Sequence, residues 1–250
     1  MTNDSYNKFL KLKEQFRCIT EELSGSLPRL KTLQQKLVNN RAEVSYKVET
    51  PVVYNSALDE ITRDSEIRLI IVADNPGRRE QAAENRRYLT GPSGKIADNF
   101  FRNNPALGID FKKNVIILNK TPIHSPRTNE LRELCRMEKG SGNIAAALEE
   151  SQKKMAWLLV EFHKALMCPV WLTGYSEMRK GGIFETYTET LKNLYSKKEF
   201  YKQLFIFRHF SMNQFTIDLK KQSLPDKSIE ENLRRIGAMY RQRILLLDIE

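Results

Sequence analysis

The sequence predicts an α/β fold: three layers, α/β/α, around a central four-stranded parallel sheet. Three observations predict it. Four short apolar runs, within 69–73, 114–119, 169–173 and 203–207, have the composition of strands buried on both faces. Stretches with helical spacing of apolar residues lie between them, the alternation that produces parallel strands joined by crossover helices. Each run also stops at polar or turn-forming residues, and open α/β sheets bind their ligands just beyond the carboxyl ends of strands.

The elements follow in order. Phe9, Leu12, Phe16, Ile19 and Leu23 repeat at helical spacing over 5–24, with Lys, Glu and Gln between them. Gly25 and Ser26 end that helix, and Pro28 opens a second one through Leu30, Leu33 and Leu37. These two helices, within 1–45, are expected to pack on the main body as an extension of one domain spanning 1–250, and residues 44–55 to run extended. The first strand, Leu69 to Val72, breaks at Asp74-Asn75-Pro76-Gly77, all turn formers. A charged, glycine-containing loop occupies 78–94, followed by a helix over 95–103.

The second strand, Asn114 to Asn119, leads into a proline-punctuated loop over 121–128. A long amphipathic helix is expected over 143–166, striped by Met155, Leu159, Phe162 and Leu166. The third strand, Pro169 to Thr173, is closed by Gly174 and followed by a helix over 183–195. The fourth, Gln203 to Phe207, is closed by Arg208, His209 and Ser211. Ser228 and Glu231 have capping-box spacing for a last helix through Leu233, Ile236 and Tyr240. Ile244 to Leu247 either extend that helix or form an edge strand.

Charge and cysteine content narrow the function. Lys plus Arg total 41 against 31 Asp plus Glu in 250 residues, a net charge of +10 that points to a polyanionic partner, most simply nucleic acid. The cysteines, Cys18, Cys135 and Cys168, form no C-x-x-C pair, which excludes a disulfide framework and a four-cysteine metal or iron–sulfur site. No apolar run approaches the ~18 residues of a membrane span, and the first residues lack a signal-peptide core. A cytoplasmic protein is expected, with no membrane partner and acting as a monomer.

Several motif matches fail. Gly91-Pro92-Ser93-Gly94-Lys95 has two residues between its glycines where a phosphate loop needs four, and Ile96 where it needs Ser or Thr. Asn119-Lys120-Thr121 is followed by Pro122 where a guanine-reading motif needs Asp. Gly174-Tyr175-Ser176 lacks the second glycine of a nucleophile elbow, replaced by Met178. No two histidines have metal-ligand spacing, and His163, within a helix, reads as structural.

One constellation survives. Asp74 and Asn75, then Asn119, then His209 and Ser211 stand at three strand ends that a parallel sheet brings to one edge. Amides and a neutral imidazole suit the donor–acceptor edge of a heterocycle better than proton abstraction. At the first of these ends an ordinary Asx turn would look the same.

In these residues the chain resembles the uracil-DNA glycosylase superfamily. Ala73-Asp74-Asn75-Pro76-Gly77 is similar to its first motif, Gly-x-(Asp/Asn/Ala)-Pro-(Tyr/Gly). Val115 to Asn119 resembles the strand whose terminal Asn reads the uracil edge, and His209-Phe210-Ser211 resembles the last motif, His-Pro-Ser. Leu89-Thr90-Gly91-Pro92-Ser93-Gly94-Lys95 resembles the Phe-Val-Gly-x-(Ala/Ser)-Gly loop of the iron–sulfur branch. The likeness covers roughly residues 65–222. Ala73 replaces a glycine, Phe210 a proline and Leu89 the base-stacking Phe, with Tyr88 as a candidate substitute; the cluster cysteines are absent.

The resemblance implies a monofunctional DNA N-glycosylase, without cofactor or metal, that flips uracil out of single- or double-stranded DNA and hydrolyses its bond to deoxyribose, the first step of base excision repair. It implies that Asn75 holds the attacking water, Asn119 reads the base and His209 stabilises the departing uracil. Asp74 either assists or caps the turn. Pro76, Gly77, Tyr88 and Leu89 would line the base pocket. Ser93, Lys95 and Ser211 would meet phosphate, although Ser211 as a loop cap would look the same. Met212 and Phe215 are either wedges into the vacated stack or packing residues of a short helix. Two other readings remain: a non-catalytic nucleic-acid-binding protein on this fold, and a nucleoside hydrolase or transferase.

Overall fold

A computed structural model describes residues 1–41, 45–138, 143–196 and 199–245. Its centre is a sheet of four short strands, β1 (Leu69–Ala73), β2 (Val115–Asn119), β3 (Val170–Thr173) and β4 (Leu204–Phe207), all parallel and ordered β2-β1-β3-β4. Every residue of β1 and β3 is buried, as their unbroken apolar runs require. The order runs outward from β1 in both directions, so the strand-end loops of β1 and β3 diverge from the middle of the sheet. A crevice forms at such a reversal.

Around the sheet lie α1 (Asn3–Ser26), α2 (Leu30–Asn39), α3 (Pro92–Asn103), α4 (Glu130–Met137), α5 (Asn143–Leu166), α6 (Glu185–Tyr195), α7 (Gln214–Gln222) and α8 (Ile229–Leu245). Register places Ile71, Ile117, Trp171 and Phe205 on one face. There Trp171 stacks against Phe101 of α3 and Phe215 of α7, with ring centroids 5.4 and 5.8 Å apart. Gly237 of α8 lies so close to Phe205 and Phe207 that a Cβ would clash, which lets α8 lie flat on β4. The opposite face, with Ile70, Val72, Ile116 and Leu118, is covered by α5, on which α1 and α6 pack. These are the three layers that the alternating pattern predicts.

The N-terminal helices are bound to the body, Phe9 meeting Phe162 of α5 at 5.8 Å. The Gln34 amide of α2 donates to the carbonyls of Pro51 and His124 at 2.9 and 2.7 Å, tying the extension to the loop after β2. Several boundaries differ from those expected. Helix α3 begins at Pro92, with proline in its first turn where a missing N–H costs nothing. Helix α4 was not foreseen, being short and largely charged or polar, while α7 is the short helix that one reading of Phe215 allowed. Residues 45–55 are mostly irregular, tied to the body by backbone hydrogen bonds from Val53 to Pro122 and from His124 to Pro51, with an antiparallel bridge between Val52 and Ile123; residue 44 lies outside the described residues. Ile244 and Leu245 extend α8, while 246 and 247 lie outside the described residues. Among the described residues no helix is long and apolar enough to cross a membrane.

Candidate functional site

A cavity of about 600 Å³ opens at the carboxyl ends of the strands. Its walls are the loop after β1, the start of α3, the loop after β2 and the loop after β4. Asp74, Asn75, Gly77, Leu89, Ser93, His209 and Ser211 all line it, so seven of the residues singled out in the sequence meet in one place. Arg78, Arg79 and Arg127 stand at the same cavity. A larger groove of about 1070 Å³ runs along the outer side of β2 and holds none of Asp74, Asn75 and His209.

The Asn75 amide is fixed at both ends. Its Nδ2 donates to Ser125 Oγ at 2.9 Å, and its Oδ1 accepts from Thr128 Oγ1 at 3.0 Å. That leaves one lone pair on Oδ1 for a ligand. Thr128 Oγ1 is also 3.4 Å from Asp74 Oδ2, so the two strand-end side chains share one hydroxyl.

The other carboxylate oxygen of Asp74 is committed. Lys120, with no exposed surface, donates from Nζ to Asp74 Oδ1 and to the Thr173 carbonyl, each at 2.5 Å, and its ammonium lies 5.0 Å from the centre of the Phe184 ring. Burial lowers the Lys120 pKa, and the charge of Asp74 opposes that shift. Gly174, at φ +82°, sits where any Cβ would collide with the Asp74 carboxylate. Its left-handed backbone and missing side chain let β3 end against Asp74.

His209 is partly exposed, and its Nδ1 accepts the Ser211 backbone N–H at 3.0 Å. An Nδ1 that accepts leaves the proton of the neutral ring on Nε2. Burial lowers the His209 pKa; Asp74 opposes this and the Lys120 charge adds to it. The ring is therefore a neutral donor near pH 7 rather than a base. Ser211 meets His209 through its backbone N–H and is among the residues that line the cavity.

Asn119 pairs in register with Ala73, and its side chain leaves the sheet on the same face. Ala73 lines the cavity; Asn119 does not. It is 1% exposed, and neither Oδ1 nor Nδ2 has a hydrogen-bond partner among the described residues. A buried amide left unsatisfied at both ends costs about 1–3 kcal/mol for each group, so something that completes it is favoured.

Four expectations need correction. Tyr88 does not stand over the cavity. It is buried, its hydroxyl donates to the Val53 carbonyl at 2.5 Å, and its ring lies 6.3 Å from that of Phe16, because an apolar ring gains more in that core than at an open wall. Phe215 is not a wedge: it is 2% exposed and packs on Phe100, Trp171, Phe207 and Phe210. Lys95 is exposed and lies on the larger groove beside β2, turned there by the helical rotation from Ser93. Met212, in contrast, is 84% exposed at φ +52°, directly after Ser211 of the cavity lining. Pro76 is buried rather than lining, and its carbonyl fixes the loop.

Sequence reasoning missed four residues that build the site. Glu80 is buried, accepts the Gly77 N–H at 3.0 Å and also bonds the backbone of Leu89 and Thr90, joining two cavity walls; burial pushes its pKa up to about 7. Buried His124 meets the Pro76 carbonyl through Nδ1 at 2.8 Å and Tyr46 Oη through Nε2 at 3.0 Å. A carbonyl only accepts, so Nδ1 carries the proton and Nε2 accepts from Tyr46. Ser125 and Thr128 hold Asn75, as described. Only polar residues in a proline-rich loop directly after a strand marked them in the sequence. No protein-family model matches this chain, and no curated protein matches its sequence.

Proposed function

We propose that the chain is a DNA N-glycosylase that hydrolyses the bond between uracil and deoxyribose after flipping the nucleotide out of the stack. The observation that carries this reading is the unpartnered amide of Asn119, buried on the sheet face that leads to the cavity where His209 presents Nε2–H. An amide offering one donor and one acceptor is satisfied by the N3–H and O4 edge of uracil. Flipping costs about a few kcal/mol, least for a mispaired base. Binding requires the cavity floor to open at Asn119, so the amide's own unsatisfied groups favour the liganded state.

The chemistry then divides among four side chains. Asn75 Oδ1 and Asp74 Oδ2, aligned by Thr128, hold a water against the sugar carbon. Its oxygen bonds to C1′ as the C1′–N1 bond breaks, and its proton passes to Asp74. Uracil departs as an anion, and His209 Nε2–H donates to the oxygen on which the charge gathers, a stabilisation strongest in a site that excludes water. The neutral, Nε2-protonated ring suits this donor role. The arginines at the cavity suit a phosphodiester chain.

A second reading, a nucleic-acid-binding protein without catalysis, is favoured by one observation: the cavity is closed at Asn119 and, among the described residues, its lining holds no Phe, Tyr or Trp to stack on a base. Incubation with single- and double-stranded oligonucleotides containing one uracil separates the two. An alkali-labile abasic product supports the glycosylase; binding without that product supports the second reading.

A further inference from the structure

Beyond the cavity, Tyr175 follows Gly174 at the end of β3 and is itself buried. Two guanidinium groups converge on its ring. Arg179 Cζ lies 5.2 Å and Arg208 Cζ 5.5 Å from its centre, both within cation–π range. Tyr240 of α8 stacks on the same ring at 4.6 Å and donates from its hydroxyl to Asp218 at 2.9 Å. Asp218 in turn holds Arg208 Nε at 3.3 Å. The Arg208 fork is thus oriented by a ring and a carboxylate before any ligand arrives. Arg179 is exposed and makes no ion pair among the described residues, and exposed Lys180 follows it. The nearby acid Glu177 already faces Arg132.

Asp218 offsets the charge of Arg208, so the excess of positive potential at this ring comes from Arg179 and Lys180, and an anion relieves it. The place of the two arginines identifies the anion. Arg208 directly precedes His209, and Gly174, directly before Tyr175, lies against Asp74, so the pair flanks the cavity on the β3–β4 side. We infer that Arg179 and Arg208, organised around Tyr175, form a clamp for the phosphodiester backbone of a nucleic-acid strand lying across the cleft. Planar guanidinium forks match phosphate oxygens in pairs, which a lysine does not. The inference rests on the nucleic-acid side of the proposed function, not on catalysis.

The test is binding of a fluorescein-labelled, uracil-free single-stranded oligonucleotide, followed by anisotropy against salt concentration. Arg179→Ala and Arg208→Ala should each weaken binding and make the slope of log K against log salt shallower by about 0.7, the value of one lost single-strand phosphate contact. Arg208→Lys keeps the charge but should not restore wild-type affinity. Lys154→Ala, on the far helical layer, should change neither quantity. Arg179 is at the surface, so its variant tests the clamp without endangering the fold. Unchanged slopes in both alanine variants overturn the clamp, as does a wild type that does not bind the oligonucleotide at low salt. Displacement of the oligonucleotide by polyglutamate at equal charge concentration also overturns it, in favour of an acidic polypeptide. Excision is scored separately: binding with the expected slopes but no abasic product leaves the clamp standing and removes the glycosylase. Excision with unchanged slopes does the reverse.

Discussion

The ammonium of Lys120 lies 2.5 Å from Oδ1 of Asp74, and the lysine has no exposed surface. Register explains the meeting: Ala73 pairs with Asn119, so the next residues on the two strands, Asp74 and Lys120, leave the sheet side by side. The pair holds the loop that carries Asn75, and through the Thr173 carbonyl it also holds the end of β3. Removing one partner of a buried pair strands the other charge. Lys120→Met should therefore destabilise the protein by about 3–5 kcal/mol. Adding Asp74→Asn should cost less than the sum of the single changes, since the two residues share one interaction. Urea denaturation of the two single variants and the double variant checks both statements; additive losses would show that the ion pair contributes nothing of its own.

Asn75→Ala and His209→Ala should each lower excision by about 10²-fold or more, the scale for losing one preorganised polar group, with DNA affinity nearly unchanged because phosphate contacts dominate it. The pH profile carries a further expectation. In the proposed mechanism neutral His209 is the donor, and its pKa is lowered mainly by burial. Activity that depends on the neutral ring should thus persist as pH falls through the ordinary histidine value of about 6.5, and fail only at lower pH. Single-turnover rates between pH 5 and 8 read this directly. An acid limb centred at the ordinary value would contradict the desolvated, Nδ1-accepting ring.

The sheet was legible because its four strands are continuous apolar runs, a pattern that does not depend on their neighbours. The meeting of Asn75 and His209 at one cavity followed from parallel strands alone, since both stand at carboxyl ends; Asn119 stands at such an end too, but its side chain is buried outside the cavity lining. What the sequence hid depends on tertiary position. Lys120 reads locally as a failed guanine-binding motif, and only the pairing of Ala73 with Asn119 sets it against Asp74. Tyr88 sits between a loop and a glycine-rich turn in sequence, yet the close approach of Leu89 to Gly94, where a Cβ would strike the Leu89 carbonyl, turns the chain so that Tyr88 enters the core. The support given to Pro76 by His124 and Tyr46 joins segments 78 residues apart, with no local pattern in either.

Acid stability should expose that support. Burial lowers the His124 pKa from 6.5 to about 4, and it does the same for His163. Between those values the unfolded chain binds a proton that the folded chain refuses. Each histidine's contribution is therefore complete above about pH 6.5 and is lost as pH falls towards 4, by roughly 3 kcal/mol at the most. Glu80 acts with the opposite sign. Its raised pKa of about 7 favours the protonated carboxyl in the folded state, so its contribution is present below about 4.5 and is lost as pH rises to 7. Denaturation curves across pH 4–7.5 should show a steeper acid limb in Glu80→Gln and a shallower one in His124→Asn. The same pH dependence in all three proteins would mean that none of these groups titrates differently on folding.

If the chain is the glycosylase proposed above, base selectivity turns on Gly77. In the common uracil-DNA glycosylases a Tyr at the matching position excludes bases with a 5-methyl group, and here that wall is missing. Gly77 lines the cavity, and a Cβ built on it would meet nothing within 4 Å, so neither its backbone nor its neighbours close the space. Tyr88, the side chain that could have filled the gap, is buried against Phe16 and Val53 instead. A larger 5-substituent then meets no clash at residue 77, and it gains little, since a buried methyl contributes about 1 kcal/mol. The wild type should excise uracil, 5-hydroxymethyluracil and thymine opposite guanine with rates closer together than a Tyr-bearing pocket allows. Because the space beside residue 77 is open, Gly77→Tyr should fold and should reduce excision of the two substituted bases far more than that of uracil. Initial rates on the three substrates, with each protein in excess, decide the matter. Strict uracil selectivity in the wild type, unchanged by the tyrosine, would place the excluding contact elsewhere in the cavity, with Leu89 the nearest candidate on its wall.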